Sequence, residues 1–340
     1  MSSTTDSAPQ GKAVETPAAP PRRHRPSFEL AFVRTLFVKY GMVLVLILLA
    51  LVANGLYSGF LTSANLNNVV GQVAPTAIVA VGMTYVIISG GFDLSVGAVF
   101  AGGAVLYADL SNKMPLTAAF ALTVVIGILA GIFNGAVITG LNVNPFIATL
   151  ASASLFSGAV YLYANSAPIQ STVAVFTDMG SGKWGGVWIA TYILIGLLIV
   201  GGLVLARTPY GRSIYAVGGN LEAARLAGMR VKLVKISAFA IASSCAAIGG
   251  MIVASQTGVG QANIGPTVTL DAIAIVIIGG TSLMGGEGAM WRTVIGLLMW
   301  GTISNVFNSL ALDTSSQLLM QGAILLVAVS LDAIARRSRK

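Results

Sequence analysis

The stretch NVVGQVAPTAIVAVGMTYVIISGGFDLSVGAVFAGGAVLYADL, residues 68–110, decides the fold class. Its 43 residues contain two carboxylates, Asp93 and Asp109, and no basic residue. A helix crosses a bilayer with about 20 residues, so the stretch is about twice too long for one span. Gly90-Gly91 interrupts it near the middle, and glycine is a poor helix former. The stretch therefore predicts two membrane spans, at about 68–89 and 94–110, with a glycine break between them.

The composition of the whole chain agrees with a membrane protein. Of the 340 residues, 56% are apolar and 9% are charged, whereas about 25% are charged in a typical soluble domain. Soluble enzymes, nucleic-acid binders and disulfide-stabilised secreted domains are excluded on this ground. The only cysteine, Cys245, lies in an apolar run, and the only histidine, His24, lies near the N-terminus. The sequence thus predicts no internal disulfide and no metal site.

Apolar runs along the rest of the chain predict an all-α polytopic protein with about ten transmembrane helices. Two of these runs, 94–110 and 270–284, are shorter than a full crossing and adjoin glycine pairs. Interrupted short helices are typical of the central site of a transporter. The ten expected spans are about 40–60, 68–89, 94–110, 115–139, 146–164, 187–206, 236–256, 270–284, 291–310 and 316–334.

Basic residues set the expected orientation. They cluster before the first span, in the loop 207–235 and at the C-terminus, and such clusters stay in the cytoplasm. The net charge of +8 is therefore a topology signal and predicts no nucleic-acid partner. We expect residues 1–39 to form a disordered cytoplasmic arm, 40–335 the membrane domain and 336–340 a basic cytoplasmic tail.

The chain lacks the residues that a stand-alone enzyme would need. It has no G-x-x-x-x-G-K-[ST] sequence to hold the phosphates of ATP. It also has no Ser/His/Asp or Cys/His set, because its one histidine is in the arm. We therefore expect no catalytic residue, no metal and no cofactor in this chain.

Two glycine patterns stand out within the spans. Gly127, Gly131 and Gly135 repeat at every fourth residue of one predicted helix, a spacing that predicts close packing against another helix. Residues 89–97 and 278–286 match at four of nine positions when aligned end to end, three of them glycine. This second pattern hints at a duplicated half.

Polar residues at membrane depth have two interpretations. Asp93 and Asp271 adjoin short helices, where each could cap a helix or line a pathway. Neutral polar side chains could bond neighbouring helices or contact substrate. A pathway poor in charge suits a neutral, polyhydroxylated substrate better than an ion. The neutral polar residues in or beside spans are Gln72, Asn134, Asn142, Asn144, Thr149, Ser152, Ser154, Asn305 and Asn308.

The loop RTPYGRSIYAVGGNLEAARLAGMRVKLVK, residues 207–235, contains a short helix signal. Asn220 is a good N-cap for a helix from Leu221 to about Ala227, with Glu222 in the first turn and Gly228 at the end. A plain basic loop needs no such capped helix. The pattern favours a docking element for a cytoplasmic partner.

This loop resembles the coupling segment of permease subunits from ATP-binding cassette (ABC) importers. Glu222-Ala223-Ala224-x-x-x-Gly228 matches their EAA-x-x-x-G core. Four further motifs are similar to those of ribose- and xylose-type monosaccharide permeases, and the resemblance covers about residues 40–335. They are GGFDLSVGA (90–98), NPFIATL (144–150), GGNLEAARLAGM (218–229) and DAIAIVIIGGTSLMGGEG (271–288).

The resemblance implies a bacterial inner-membrane permease that works as a homodimer or beside a second permease. Cytoplasmic ATP-binding subunits would carry ATP and Mg²⁺, and a periplasmic or lipid-anchored sugar-binding protein would deliver a neutral monosaccharide. The alternative is a secondary carrier or facilitator that works without ATP. The expected ATPase-coupling residues are Asn220, Glu222, Ala223, Ala224, Arg225 and Gly228. The residues expected near the path are Asp93, Ser95, Asn134, Asn144 and Thr149, with Asn305 from the polar set above.

Overall fold

The computed structural model describes the backbone of residues 28–337 and the side chains of residues 41–330. Residues 1–27 of the expected arm and 338–340 of the expected tail lie outside the described residues. Contacts divide the chain into two units, Met1–Gly41 and Met42–Lys340, and the second contains nearly the whole expected membrane domain. The helices are α1 Phe28–Leu56, α2 Ser63–Ile88, α3 Val96–Ser111, α4 Leu116–Leu141, α5 Pro145–Tyr163, α6 Asp178–Ser181, α7 Ile189–Arg207, α8 Pro209–Gly219, α9 Leu221–Leu226, α10 Val231–Thr257, α11 Pro266–Ile278, α12 Met290–Ser309 and α13 Thr314–Arg337.

Each of the ten expected spans corresponds to one of these helices, as an all-α polytopic protein requires. Five of the described helices, α2, α4, α5, α7 and α10, are long and apolar enough to cross a membrane. Two boundaries differ from expectation. Helix α1 begins at Phe28, inside the arm expected over 1–39, because Pro26 is the last proline before the first apolar run. Helix α11 ends at Ile278, earlier than 284, because the backbone at Gly280 is left-handed (φ +85°).

Helices α2 and α10 form the centre of the second unit. All but a few residues of α2 from Val69 onward are buried, and its neighbours are α7, α10, α11 and α12. Helix α10 packs on α2, α3 and α4. Glycines allow this closeness: a Cβ at Gly131 of α4 would lie 2.6 Å from the Cα of Ala240 of α10, and one at Gly135 2.5 Å from the Cα of Ile236. Gly127 meets the Ala247 side chain in the same way.

The outer helices expose their apolar side chains. On α4, α5 and α7, side chains such as Leu129 (57% exposed), Leu155 (60%) and Leu203 (56%) face outward. A soluble protein would bury them, whereas hydrocarbon accepts them without cost. This pattern is the one expected for helices that meet lipid.

Four short strands in the described part of the chain lie at the end of the second unit where α2 begins. Strand β1 (Ile169–Gln170) pairs antiparallel with β4 (Val259–Gly260), and β2 (Lys183–Trp184) forms a hairpin with β3 (Val187–Trp188). The Asn67 amide of α2 donates a 2.7 Å hydrogen bond to the Gly186 carbonyl in the hairpin turn. We call this the strand end, and the opposite end, where α8 and α9 lie, the α9 end.

Candidate functional site

The sequence between α7 and α10 folds into two short helices with well-formed ends. Thr208 caps α8, accepting a 3.1 Å hydrogen bond from the Gly211 amide. Asn220 caps α9, and its Oδ1 accepts a 2.9 Å bond from the Ala223 amide. Gly228, with φ +76°, follows the end of α9. The short helix expected after Asn220 is therefore present, one residue shorter than expected.

Helix α9 exposes nearly all of its surface. Glu222, Ala223 and Arg225 are exposed, and Leu226 is 86% exposed. Ala224 is the exception, being 5% exposed and packed into the main hydrophobic core. An exposed leucine flanked by charges on a capped helix is the kind of surface that a protein partner covers. The expected coupling residues Asn220 and Gly228 form the two ends of this surface.

Backbone contacts between glycines tie α8 to the end of α2 and to the loop between α11 and α12. The Gly286 amide donates a 2.8 Å hydrogen bond to the carbonyl of Ile88, the last residue of α2. A Cβ at Gly218 would lie 2.7 Å from the Gly286 nitrogen, and one at Gly285 would lie 2.8 Å from the Gly90 Cα. Gly90 and Gly285 also have left-handed backbones, with φ +75° and +82°. We call this set, Gly90, Gly218, Gly285 and Gly286, the glycine contact.

Helices α2 and α11 end in the same Schellman motif, the first of them at the glycine contact. In α2 the Gly90 amide donates to the Ile87 carbonyl, and the Gly91 amide donates to that of Val86. In α11 the Gly280 amide donates to Ile277 and the Thr281 amide to Val276 in the same pattern. Gly90 therefore corresponds to Gly280. The sequence alignment of 89–97 with 278–286, which paired Gly90 with Gly279, is one residue out of register.

Hydrogen bonds of Asp93 and Ser95 stabilise the break between α2 and α3, residues 89–95. The Asp93 Oδ1 accepts bonds from the Ser95 amide (2.9 Å) and hydroxyl (2.6 Å), and the Asn134 amide donates to the Ser95 hydroxyl at 2.7 Å. All three side chains are completely buried. The Asp93 carboxylate thus stabilises the turn before α3, whose N-cap is Ser95 rather than Asp93.

The other residues expected near the path also have protein partners. Thr149 accepts from the Leu94 amide (3.1 Å) and donates to the Pro145 carbonyl (2.8 Å). Asn144 caps α5, with its Oδ1 2.9 Å from the Phe146 nitrogen. Asn305 of α12 pairs with Asn65 of α2 through two reciprocal 3.1 Å hydrogen bonds. The structure thus brings Asp93, Ser95, Asn134 and Thr149 together around one break and places Asn305 near the strand end.

A polar cavity of about 200 Å³ lies between α2, α11 and α12. Its polar lining comes from α2, near the beginning of the chain, and from α11 and α12, near its end, so no local signal marks it. Gln72, Asp271 and Asn308 stood out in the sequence only as polar residues near membrane depth. The residues that line the cavity are Val69, Gln72, Val73, Thr76, Asp271, Trp300, Gly301, Ser304 and Asn308.

Residues 65–329 match the model of a family described as the permease component of the branched-chain amino acid transport system. The chain belongs to this permease family. The permease is 38% identical over 302 residues to the ribose import permease RbsC of Bacillus subtilis, covering 86% of this chain and 92% of that protein. It is 35% identical over 304 residues to RbsC of Haemophilus influenzae, covering 88% and 94%.

A third relative has a different named sugar. The permease is 33% identical over 341 residues to the xylose transport permease XylH of Escherichia coli K12, covering 82% of this chain and 87% of that protein. No solved structure matches the chain. Because these alignments include most of each relative, the similarity extends over the whole membrane domain rather than over one motif.

Proposed function

We propose that this permease is the membrane-spanning subunit of an ABC importer for a neutral monosaccharide. The single observation that carries the proposal is the similarity to ribose and xylose permeases over 82–88% of the chain. Separate ATP-binding subunits would drive it, and a sugar-binding protein would feed it from outside. The permease would sit in the inner membrane of a bacterium as a homodimer or beside a second permease.

The surface of α9 supports an ATP-binding subunit as the driving partner. Helix α9 is capped at Asn220, exposed over Glu222, Arg225 and Leu226, and anchored through Ala224. The basic residues around it favour the cytoplasmic side, where ATP is available. A secondary carrier has no use for such a surface, and none of the three relatives named above is a secondary carrier by name.

The glycine contact supports a route for force from α9 into the membrane domain. Helix α8 leads directly into α9, and its backbone touches the end of α2 and the loop between α11 and α12. A contact between two backbones transmits a displacement directly, because no side chain lies between the backbones that could absorb it by changing rotamer. A movement of α9 would therefore act directly on α2 and, through the loop after α11, on α11.

The family description names branched-chain amino acids, so substrate class needs a direct test. The permease is reconstituted in liposomes with its ATP-binding subunits and binding protein, and uptake of labelled ribose, xylose and leucine is measured. We expect ATP-dependent uptake of a sugar and none of leucine. Leucine uptake alone, or sugar uptake at the same rate without the ATP-binding subunits, would contradict the proposal.

A further inference from the structure

We propose that the polar cavity between α2, α11 and α12 binds one monosaccharide during transport. This inference rests on the proposed function, because the sugar class comes from there. The cavity supplies what a sugar ring needs: several groups that both donate and accept hydrogen bonds, one carboxylate, and one aromatic surface for the C–H face.

The cavity has the size and shape for a small ligand. Its volume of about 200 Å³ lies below the roughly 300–1,000 Å³ of pockets for drug-sized molecules. Gln72 and Asn308 are exposed, Asp271 and Ser304 are partly buried, and Trp300 is 3% exposed. The amide side chains of Gln72 and Asn308 therefore form the open rim of the cavity, and the indole of Trp300 forms its buried floor.

Asp271 brings to the lining of the cavity a carboxylate without a protein partner in the described part of the chain. It lies in the first half of α11, among apolar residues, and none of the described residues forms a hydrogen bond or ion pair with its carboxylate. Among the described residues that line the cavity, none is basic. A carboxylate at membrane depth without a partner is costly. Sugar hydroxyls donate hydrogen bonds to a carboxylate, so a bound sugar would satisfy Asp271 while needing no counter-charge.

The remaining polar groups favour a neutral polyol over an amino acid. Gln72, Thr76, Ser304 and Asn308 each offer both donors and acceptors, as alternating hydroxyls require. A branched-chain amino acid would need a cationic partner for its carboxylate and an apolar recess for its side chain. A second cavity, of about 380 Å³ between α3, α4, α5 and α10, is lined almost wholly by apolar groups and suits no sugar.

The position of the cavity connects it with the coupling segment. Two of its three helices, α2 and α11, run from the cavity near the strand end to Schellman motifs at the α9 end. Ile88 at the end of α2 accepts a hydrogen bond from Gly286 in the loop that follows α11, and both residues lie against Gly218 of α8. A shift of α8 would thus act on α2 directly and on α11 through residues 279–289 of that loop, which is how the site could change affinity between states.

The test measures sugar binding to the purified permease in nanodiscs, without binding protein, by saturation-transfer NMR titration with ribose, xylose and leucine. We expect millimolar binding of ribose or xylose and none of leucine. Asp271→Asn keeps the side-chain shape but removes the charge, and should weaken sugar binding about tenfold, since hydrogen bonds to charged groups are the stronger ones. Ser304→Leu, which fills the cavity, should abolish binding.

Asp178→Asn is the matched control, because Asp178 is exposed and lies outside the cavity. It should bind sugar like the unmodified permease. Unchanged sugar affinity in both Asp271→Asn and Ser304→Leu would overturn the cavity assignment, as would ATP-driven sugar uptake by a permease that binds no sugar at tens of millimolar. The proposed function would survive either result, whereas uptake of leucine and of neither sugar would remove the function itself.

Discussion

Replacing Gly218 by alanine tests whether the glycine contact carries force from α9 to the membrane helices. The new methyl carbon would lie 2.7 Å from the Gly286 nitrogen and closer still to the Ile88 carbonyl oxygen. Ordinary contacts of this kind are about 3.5–4.0 Å, so α8 must move away from Ile88 by about 2 Å and from Gly286 by about 1 Å. Both neighbours are backbone atoms, which cannot rotate away. Overpacking of this kind costs about 1–3 kcal/mol.

The matched control is Gly219→Ala at the next position of α8. There the nearest heavy atom would lie 3.9 Å from the new carbon, which is normal packing. Both residues lie at the C-terminal end of α8, so both variants gain similarly from the better helix propensity of alanine, up to about 1 kcal/mol. The difference between the two variants therefore isolates the contact with Ile88 and Gly286.

The assay is ATP-driven sugar uptake in liposomes, with ATP hydrolysis and binding of the ATP-binding subunits measured in parallel. A lost coupling of 1–3 kcal/mol corresponds to about 5–150-fold, so Gly218→Ala should transport at least about fivefold more slowly while still binding its partner. Gly219→Ala should transport normally. Equal uptake by both variants at equal protein yield would refute the transmission role. Loss of partner binding by Gly218→Ala would show that the substitution damages the surface that binds the ATP-binding subunit.

The same structure supports three further predictions. The purified permease should hydrolyse no ATP alone, measured by phosphate release; hydrolysis in a clean preparation would show that a nucleotide site had been missed. Glu222→Lys, on the exposed face of α9, and Gly228→Pro, which cannot adopt φ +76°, should abolish ATP-driven uptake without reducing membrane insertion; normal uptake would remove α9 from the docking surface. Gly131→Ala, whose Cβ would meet the α10 backbone, should lower the unfolding temperature in detergent, whereas Gly140→Ala, with no described atom within 4 Å, should not; equal temperatures would argue against close packing of α4 on α10.

Local signals in the sequence were enough to predict the long helices and the short helix α9. Apolar runs of span length predict helices because the bilayer allows few other structures. Helix α9 was also predictable, because Asn220 and Gly228 act within one turn of the helix ends that they form. The start of α1 was harder to predict, because an apolar helix can begin well before the segment that meets hydrocarbon.

Contacts between distant residues were not predictable from one sequence. Gly218 and Gly286 are 68 positions apart, and nothing near either glycine indicates the other. Asp93 and Asp271 looked alike, since each is a carboxylate beside a short helix. In the structure Asp93 is bonded to Ser95, whereas Asp271 faces a cavity made partly by α2. Whether each carboxylate is bonded within the protein or faces a cavity depends on the positions of other helices, which one sequence does not give.

The one-residue error in the internal alignment has a physical cause that bears on coupling. A sequence comparison aligns glycines by identity, whereas a helix end is defined by the residue with the left-handed backbone. That residue is Gly90 in α2 and Gly280 in α11, and the position before it has negative φ and accepts Ser89 as readily as Gly279. With the register corrected, both helices end in the same hydrogen-bonded motif on the side where α8 lies. Helix α8 contacts the end of α2 at Ile88 and the loop after α11 at Gly286, so a single segment joined to α9 can act on α2 directly and on α11 through that loop.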